Sequence, residues 1–261
     1  MNPAFLWDQA LVLTLVFLRI ATALALMPVY GFRGLPLAVK AGLAFFLALV
    51  LLPAVRLPAG WSLQGAGLPA FLALALPEVV AGLVLGLTTG FIFYGIEIAG
   101  QFVGLQMGLG IVSVMDPLSE QQTSIISQLQ YFFALVIFLT FNGHHFLLEG
   151  LGQTFQAVPL GGAAFPGGMA GLFIRMAGDM FVAGVKIAAP VTAALILSEV
   201  ALAITARAMP QMNVFLVGIP LKITVGLLGL ALSLPMLTYI LDLLWKRFQT
   251  DWRQIIALLG Q

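Results

Sequence analysis

Apolar residues run through this chain in long blocks, interrupted at a few places by proline, glycine and charge. The first block covers about Gln9 to Met27 and carries Arg19 in its middle. A lone arginine at the centre of an apolar helix is expensive in lipid, so its side chain is expected to face protein or water. Pro28, Gly31, Arg33, Gly34 and Pro36 then make a basic turn. Block two, Ala38 to Leu52, is short for a span, since a bilayer core takes roughly 20 residues of helix. Pro53 to Pro69, with Arg56, Gly60 and an interfacial-type Trp61, reads as a loop. Block three, Leu68 to about Gly110, is too long for one straight crossing. Block four, Ile125 to Leu148, holds Gln128, Gln130, Asn142, His144 and His145. The breaker-rich run Pro159 to Gly168 is the clearest boundary. Block five starts near Met169, with Arg175, Asp179 and Lys186 on one polar stripe and the first two spaced as an i, i+4 pair. Block six runs from Val214 to Leu244 and ends in a basic, aromatic tail, Trp245, Lys246, Arg247, Phe248, Trp252 and Arg253, which reads as an interface anchor.

Blocks five and six predict a helical hairpin within Ala188 to Gly226. Pro210 ends the first arm and Asn213 opens the second, with Gln211 between them at the tip. Arg207 falls in the last turn of the first arm, where its charge meets the negative end of the helix dipole. Folded about residues 210 to 211, the hairpin puts Glu199 and Lys222 at one depth, roughly 17 Å from the tip at 1.5 Å rise per residue. An ion pair across the hairpin follows if the two side chains face each other. If they do not, each faces a wet cavity or a neighbouring subunit. Pro190 and Pro220 lie inside the arms.

Glycine spacing adds a packing expectation. Gly82, Gly86 and Gly90 recur every four residues, and so do Gly100, Gly104 and Gly108, two rows that let helix backbones approach closely. After the second row comes Gln106 to Gln122, an unusually apolar connector with Met107, Leu109, Ile111, Val112, Val114 and Met115, closed by Asp116 as an N-cap and Pro117 at the first helical position. That much apolar surface in a connector suggests a buried or pore-facing segment.

Composition fixes the class. The chain is 61% hydrophobic and 8% charged, against about 25% charged in a soluble domain, and its mean hydropathy is +1.10. It is a membrane-class, all-α sequence. A net charge of +1 removes the basic excess a nucleic-acid binder needs, and the absence of cysteine removes disulfides and thiolate chemistry. Only Asp8 and no basic leader precedes the first block, so that segment is expected to be retained rather than cleaved. No phosphate-binding loop, dinucleotide fingerprint or metalloprotease motif occurs, and adjacent histidines point about 100° apart on a helix and do not chelate in the i, i+4 manner. No enzymatic activity and no cofactor are expected. Glu97 and Glu199 are read as the deep acids, for which a proton relay is the alternative to simple pairing.

Three stretches, RAMPQMNVFLVGIPLK with Pro190 upstream, GLQMGLGIVSVMDP and RIATALALMPVYG, resemble the FliR family of flagellar and injectisome type III secretion. The resemblance covers most of the chain and implies a non-enzymatic subunit, present once among several FliP-like and FliQ-like subunits. Together these form an export gate in the bacterial inner membrane at the flagellar basal body, threaded by unfolded export substrates beside other export-apparatus membrane components. It implies bent, membrane-associated helical hairpins: a FliP-like part at 1–158, a connector at 159–168 and a FliQ-like hairpin at 169–261. Residues 106–122 correspond to the family's plug. Lys186, Pro190, Glu199, Arg207, Pro210, Gln211, Asn213, Pro220 and Lys222 become hairpin and assembly residues. Two other readings stay open: an injectisome gate subunit, and a small-solute or ion transporter, for which an internal repeat is required and none is evident.

Overall fold

A computed structural model of the chain describes residues 3–31, 34–55, 67–109, 124–211 and 213–261. Helices carry these residues, and no strand occurs among them. In chain order they are α1 (Pro3–Leu26), α2 (Leu37–Leu51) with a 3-10 turn at Leu52–Ala54, α3 (Leu68–Gln106), α4 (Ile125–Thr140), α5 (Gly143–Ala157), α6 (Gly168–Ala208) and α7 (Val214–Leu259). Sequences this apolar satisfy their backbone groups internally by forming helix, which is what a bilayer demands. Four helices, α1, α3, α6 and α7, are long and apolar enough to cross a membrane, and α4 with α5 makes a bent pair that passes the same test. The chain is a multi-pass, all-α membrane protein.

Three boundaries differ from the hydropathy blocks. Block four is two helices that bend by 68° at a break, because Asn142 takes a left-handed conformation (φ 55°). Asparagine tolerates that region better than most residues, and its carbonyl accepts the His145 and Phe146 N–H groups at 3.1 and 3.2 Å. The helix α5 then runs to Ala157, well past Leu148. The second hairpin arm continues through the aromatic tail to Leu259. The tail's tryptophans are not exposed anchors, Trp245 being 8% and Trp252 1% exposed, while its Lys246, Arg247 and Arg253 are exposed. An interfacial tryptophan keeps its polar edge in water, whereas the Trp252 ring lies against Gly150, where an added Cβ would come 2.5 Å from its Nε1.

The chain forms two compact units, and α3, α4, α6 and α7 each contribute to both. The first comprises 1–91, 139–176 and 246–261. At its centre Arg19 and Glu78 are fully buried and joined. Arg19 donates Nε to Glu78 Oε2 at 2.6 Å and Nη2 to Oε1 at 3.0 Å, a bidentate fork. Its remaining N–H groups reach the carbonyls of Thr154 and Val158 at 3.3 to 3.4 Å at the end of α5, where the Thr154 carbonyl also accepts the Val158 N–H. The guanidinium also lies 4.5 Å above the Phe155 ring. Glu78 Oε1 in turn accepts the N–H of Gly161, 2.7 Å away, in the connector. Gly161 sits at φ +71°, a conformation that only glycine takes readily, and this aims its N–H at the carboxylate. Arg19 thus faces protein, and one ion pair ties α1, α3, the end of α5 and the glycine-rich connector together.

Elsewhere in this unit, burial raises the pKa of the Tyr30 phenol, so it remains a donor, here to the His144 carbonyl at 3.4 Å. Lys40 caps the turn by donating to the Gly31 carbonyl at 3.0 Å. Arg175 pairs with Asp251 on α7 at 2.5 Å, a long-range partner that i, i+4 spacing does not reveal. The second unit, 92–138 with 177–245, has an aromatic spine. Phe138 stands edge-on between Phe93 and Trp245, with ring centroids 5.4 and 5.2 Å away.

Candidate functional site

Two features of the second unit carry the candidate chemistry: the charged hairpin and the seat of the apolar segment. The hairpin turns where proline and asparagine require it. α6 stops at Ala208, Pro210 and Gln211 form the turn, and the Asn213 carbonyl accepts the Leu216 N–H at 3.1 Å as α7 starts. Across the arms Lys222 Nζ donates to Glu199 Oε1, so the two charges face each other. Their side chains are 24% and 42% exposed on the isolated chain. Small residues bring the arms together: a Cβ on Gly229 would meet Val191 at 3.3 Å and one on Gly218 would meet Leu202 at 3.4 Å. Arg207, Gln211 and Asn213 are exposed at the tip, and Lys186, Pro190, Pro210 and Pro220 are exposed along the hairpin. The hairpin therefore presents a polar tip, a half-exposed ion pair and otherwise apolar flanks.

The apolar segment is fastened at both ends. α3 ends in a Schellman motif: the Leu109 N–H bonds the Gly104 carbonyl at 3.1 Å and the Gly108 N–H bonds Leu105 at 3.0 Å. Gly108 has φ +83°. It terminates the helix rather than extending the close-packing row, because its backbone has already left the helical line along which such a row must run. Met107 is fully buried and packs on Gly226, where a Cβ would sit 2.6 Å from its Sδ. On the return side, Ser124 Oγ accepts the Ile126 N–H at 3.3 Å and caps α4. Ser124 also packs on Gly104, the residue whose carbonyl holds Leu109. Both stems thus close on one point of α3. Leu109 is half-buried, while Ile111, Val112, Val114, Met115, Asp116 and Pro117 lie outside the described residues.

The glycine rows have separate partners. In the first unit Gly82 lies against Thr22 and the Arg19 carbonyl, and a Cβ on Gly86 would come 2.7 Å from the Ala23 carbonyl, so this row receives α1. Gly90 is buried in the same line. In the second unit Gly100 lies against Ser127, whose hydroxyl donates to the Glu97 carbonyl at 3.0 Å, so the other row receives α4. A third approach, with Gly184 beside the Gly95 carbonyl, has no four-residue spacing to announce it. Glu78 was likewise missed by the sequence reading, which took Glu97 and Glu199 as the deep acids. The signal was the demand of Arg19 for a carboxylate. Among the described residues no cluster of three histidine or acidic side chains is placed to hold a metal ion.

The family model described as bacterial export proteins, family 1, matches residues 10–248. The flagellar biosynthetic protein FliR of Bacillus subtilis (strain 168) is 34% identical over 99% of this chain and 96% of its own length. The protein of the same name from Escherichia coli (strain K12) is 33% identical over 84% of this chain and 83% of its own, and that of Aquifex aeolicus (strain VF5) is 32% identical over 87% and 86%. With the model match running through both compact units, and with relatives at that identity over nearly its whole length, the chain belongs to the bacterial export proteins, family 1.

Proposed function

We propose that the chain is a non-enzymatic subunit of the flagellar type III export gate, forming and sealing the channel through which unfolded substrates cross the bacterial inner membrane. In this reading one copy assembles with several FliP-like and FliQ-like subunits. The part up to residue 158 takes the FliP-like role and residues 169–261 the FliQ-like one. The observation that carries the reading is the apolar segment at 106–122, held by both stems on Gly104, in a chain related along its length to flagellar biosynthetic proteins. A seal has to exclude water and ions yet yield to a polypeptide. Flexible methionine and aliphatic side chains on an anchored base suit that task. The apolar helix faces support assembly in a membrane: Leu37 is 81% and Phe46 63% exposed on the isolated chain, positions that only lipid or a partner subunit covers favourably.

Native mass spectrometry of the chain alone and then co-expressed with FliP-like and FliQ-like partners tests this. The expected result is a discrete complex with one copy of this chain among several partner subunits. A stable monomer or homodimer indifferent to those partners would move the weight to a small-solute or ion transporter.

A further inference from the structure

In the second unit α4, α6 and α7 border an open groove of about 160 Å³, lined by Leu129, Gln130, Phe133, Ile187 and Leu230 among others. That volume is close to the roughly 150 Å³ of an engineered apolar cavity that admits benzene. It takes a hydrocarbon chain or a ring. A partner helix, about 10 Å across, is too thick to enter it.

Its polar groups are few, and one acceptor among them is unmet. Gln130 lines the groove, is 4% exposed, and its Oε1 has no hydrogen-bond partner. Ser233, also in the lining, already donates its hydroxyl hydrogen to the Leu230 carbonyl at 2.9 Å, leaving only acceptor lone pairs. Pro235 has no N–H to return to the carbonyl of Ala231, a third lining residue. The groove therefore holds a buried, unmet acceptor, and none of its lining residues is charged. A buried amide oxygen left unpaired is costly where leucine would simply fill the space, so the occupant has to bring the donor. With no carboxylate in the lining to hold an ammonium, that donor is a neutral hydroxyl.

We propose that this groove is a lipid site: it seats the hydrocarbon of a hydroxyl-bearing membrane amphiphile, with the hydroxyl donating to Gln130 Oε1. The helices around it are of membrane-crossing length and composition. Its rim side chains Phe133 and Leu227 are 39% and 47% exposed, as a lateral opening toward acyl chains requires.

The test uses native membranes holding the full chain in its assembly. They are irradiated with a diazirine-bearing long-chain alcohol or, separately, with its methyl ether, which cannot donate. The alcohol is expected to label peptides from Ile125–Thr140 and from the 227–237 stretch several-fold more than the ether does. Gln130→Leu should erase that difference, and because it removes the unpaired oxygen it leaves folding intact. Leu230→Trp, which fills the groove, should cut labelling several-fold, with Ala231→Leu as the milder filler if the tryptophan variant fails to accumulate. Leu232→Trp, on a face 83% exposed, should change nothing. Equal labelling by alcohol and ether in the unaltered chain, labelling that survives both fillers, or none at these peptides would each overturn the proposal.

Discussion

At the scale of single residues the chain uses charge sparingly, and two pairs show how surroundings set what a pair contributes. Arg19 and Glu78 are fully buried. Removing one member of such a pair strands the other and costs about 3 to 5 kcal/mol. Glu78→Gln is expected to lower the thermal unfolding midpoint in detergent on the order of 10 °C, at the 2 to 4 °C per kcal/mol usual for chains of about this size. Arg19→Lys should do nearly the same, because an ammonium cannot form the bidentate fork while also reaching the Thr154 and Val158 carbonyls. An unfolding midpoint unchanged in both variants would refute the central place given to this pair. Glu199 and Lys222 are partly exposed on the isolated chain, and their cost reports their surroundings. In water an exposed pair is worth about 0.2 to 1 kcal/mol. In hydrocarbon the lysine left by Glu199→Gln costs about 2.5 to 3.5 kcal/mol or more. A double-mutant cycle in reconstituted bilayers, with Lys222→Gln as the other arm, is expected to give a coupling above 2 kcal/mol. A value below 1 would place the pair in water. The hairpin pair was legible because equal distance from a proline-marked tip fixes depth. Glu78 was not, because its partner lies 59 residues away on a helix with no turn in common.

At the scale of elements, spacing revealed that glycine rows pack closely but could not say against what. The two rows lie on one helix, α3, yet receive α1 and α4 respectively. Periodicity carries no information about which neighbour arrives. Gly108 shows the complementary error: four-residue spacing enrolled it in a row, whereas local backbone geometry uses it to end the helix. Likewise the 68° break at Asn142 lay inside a continuous apolar run, since hydropathy does not register a single left-handed residue. These contacts set opposite signs for one chemical change. Gly171→Ala, on α6 with nothing within 4 Å of an added Cβ, should stabilise by about 0.5 to 1 kcal/mol through helix propensity alone. Gly82→Ala drives its methyl into Thr22 and the Arg19 backbone, and overpacking of that kind costs about 1 to 3 kcal/mol. Unfolding midpoints should therefore move in opposite directions. Stabilisation by both would mean that α1 does not approach α3 as closely as described.

At the scale of the whole molecule, the hydropathy blocks ended α7 short, at Leu244 rather than Leu259, while α6 matches the block from Met169 to the proline-marked tip. α6 has 41 residues and α7 has 46, or about 60 and 70 Å at 1.5 Å per residue, roughly twice the 30 Å hydrocarbon core. Helices of that length, with Pro190, Pro220 and Pro235 inside them, exceed what one perpendicular crossing uses. That excess is consistent with a body built for assembly rather than for independent residence in a bilayer. In the gate proposed above, the apolar segment is the seal, and its anchoring divides the expected effects of mutation. Gly226→Val presses on Met107 without altering the segment; it should loosen the seat and raise resting ion permeability slightly in cells carrying the assembled gate. Deleting Leu109 to Met115 removes the proposed seal while Gly104 still holds Ser124, so the complex should assemble but conduct ions before secretion begins, seen as swelling or loss of membrane potential. Intact assembly with unchanged permeability would reject the plug. Failure of assembly would instead give the segment a structural task in joining α3 to α4, and the gradation between Gly226→Val and the deletion separates those two outcomes.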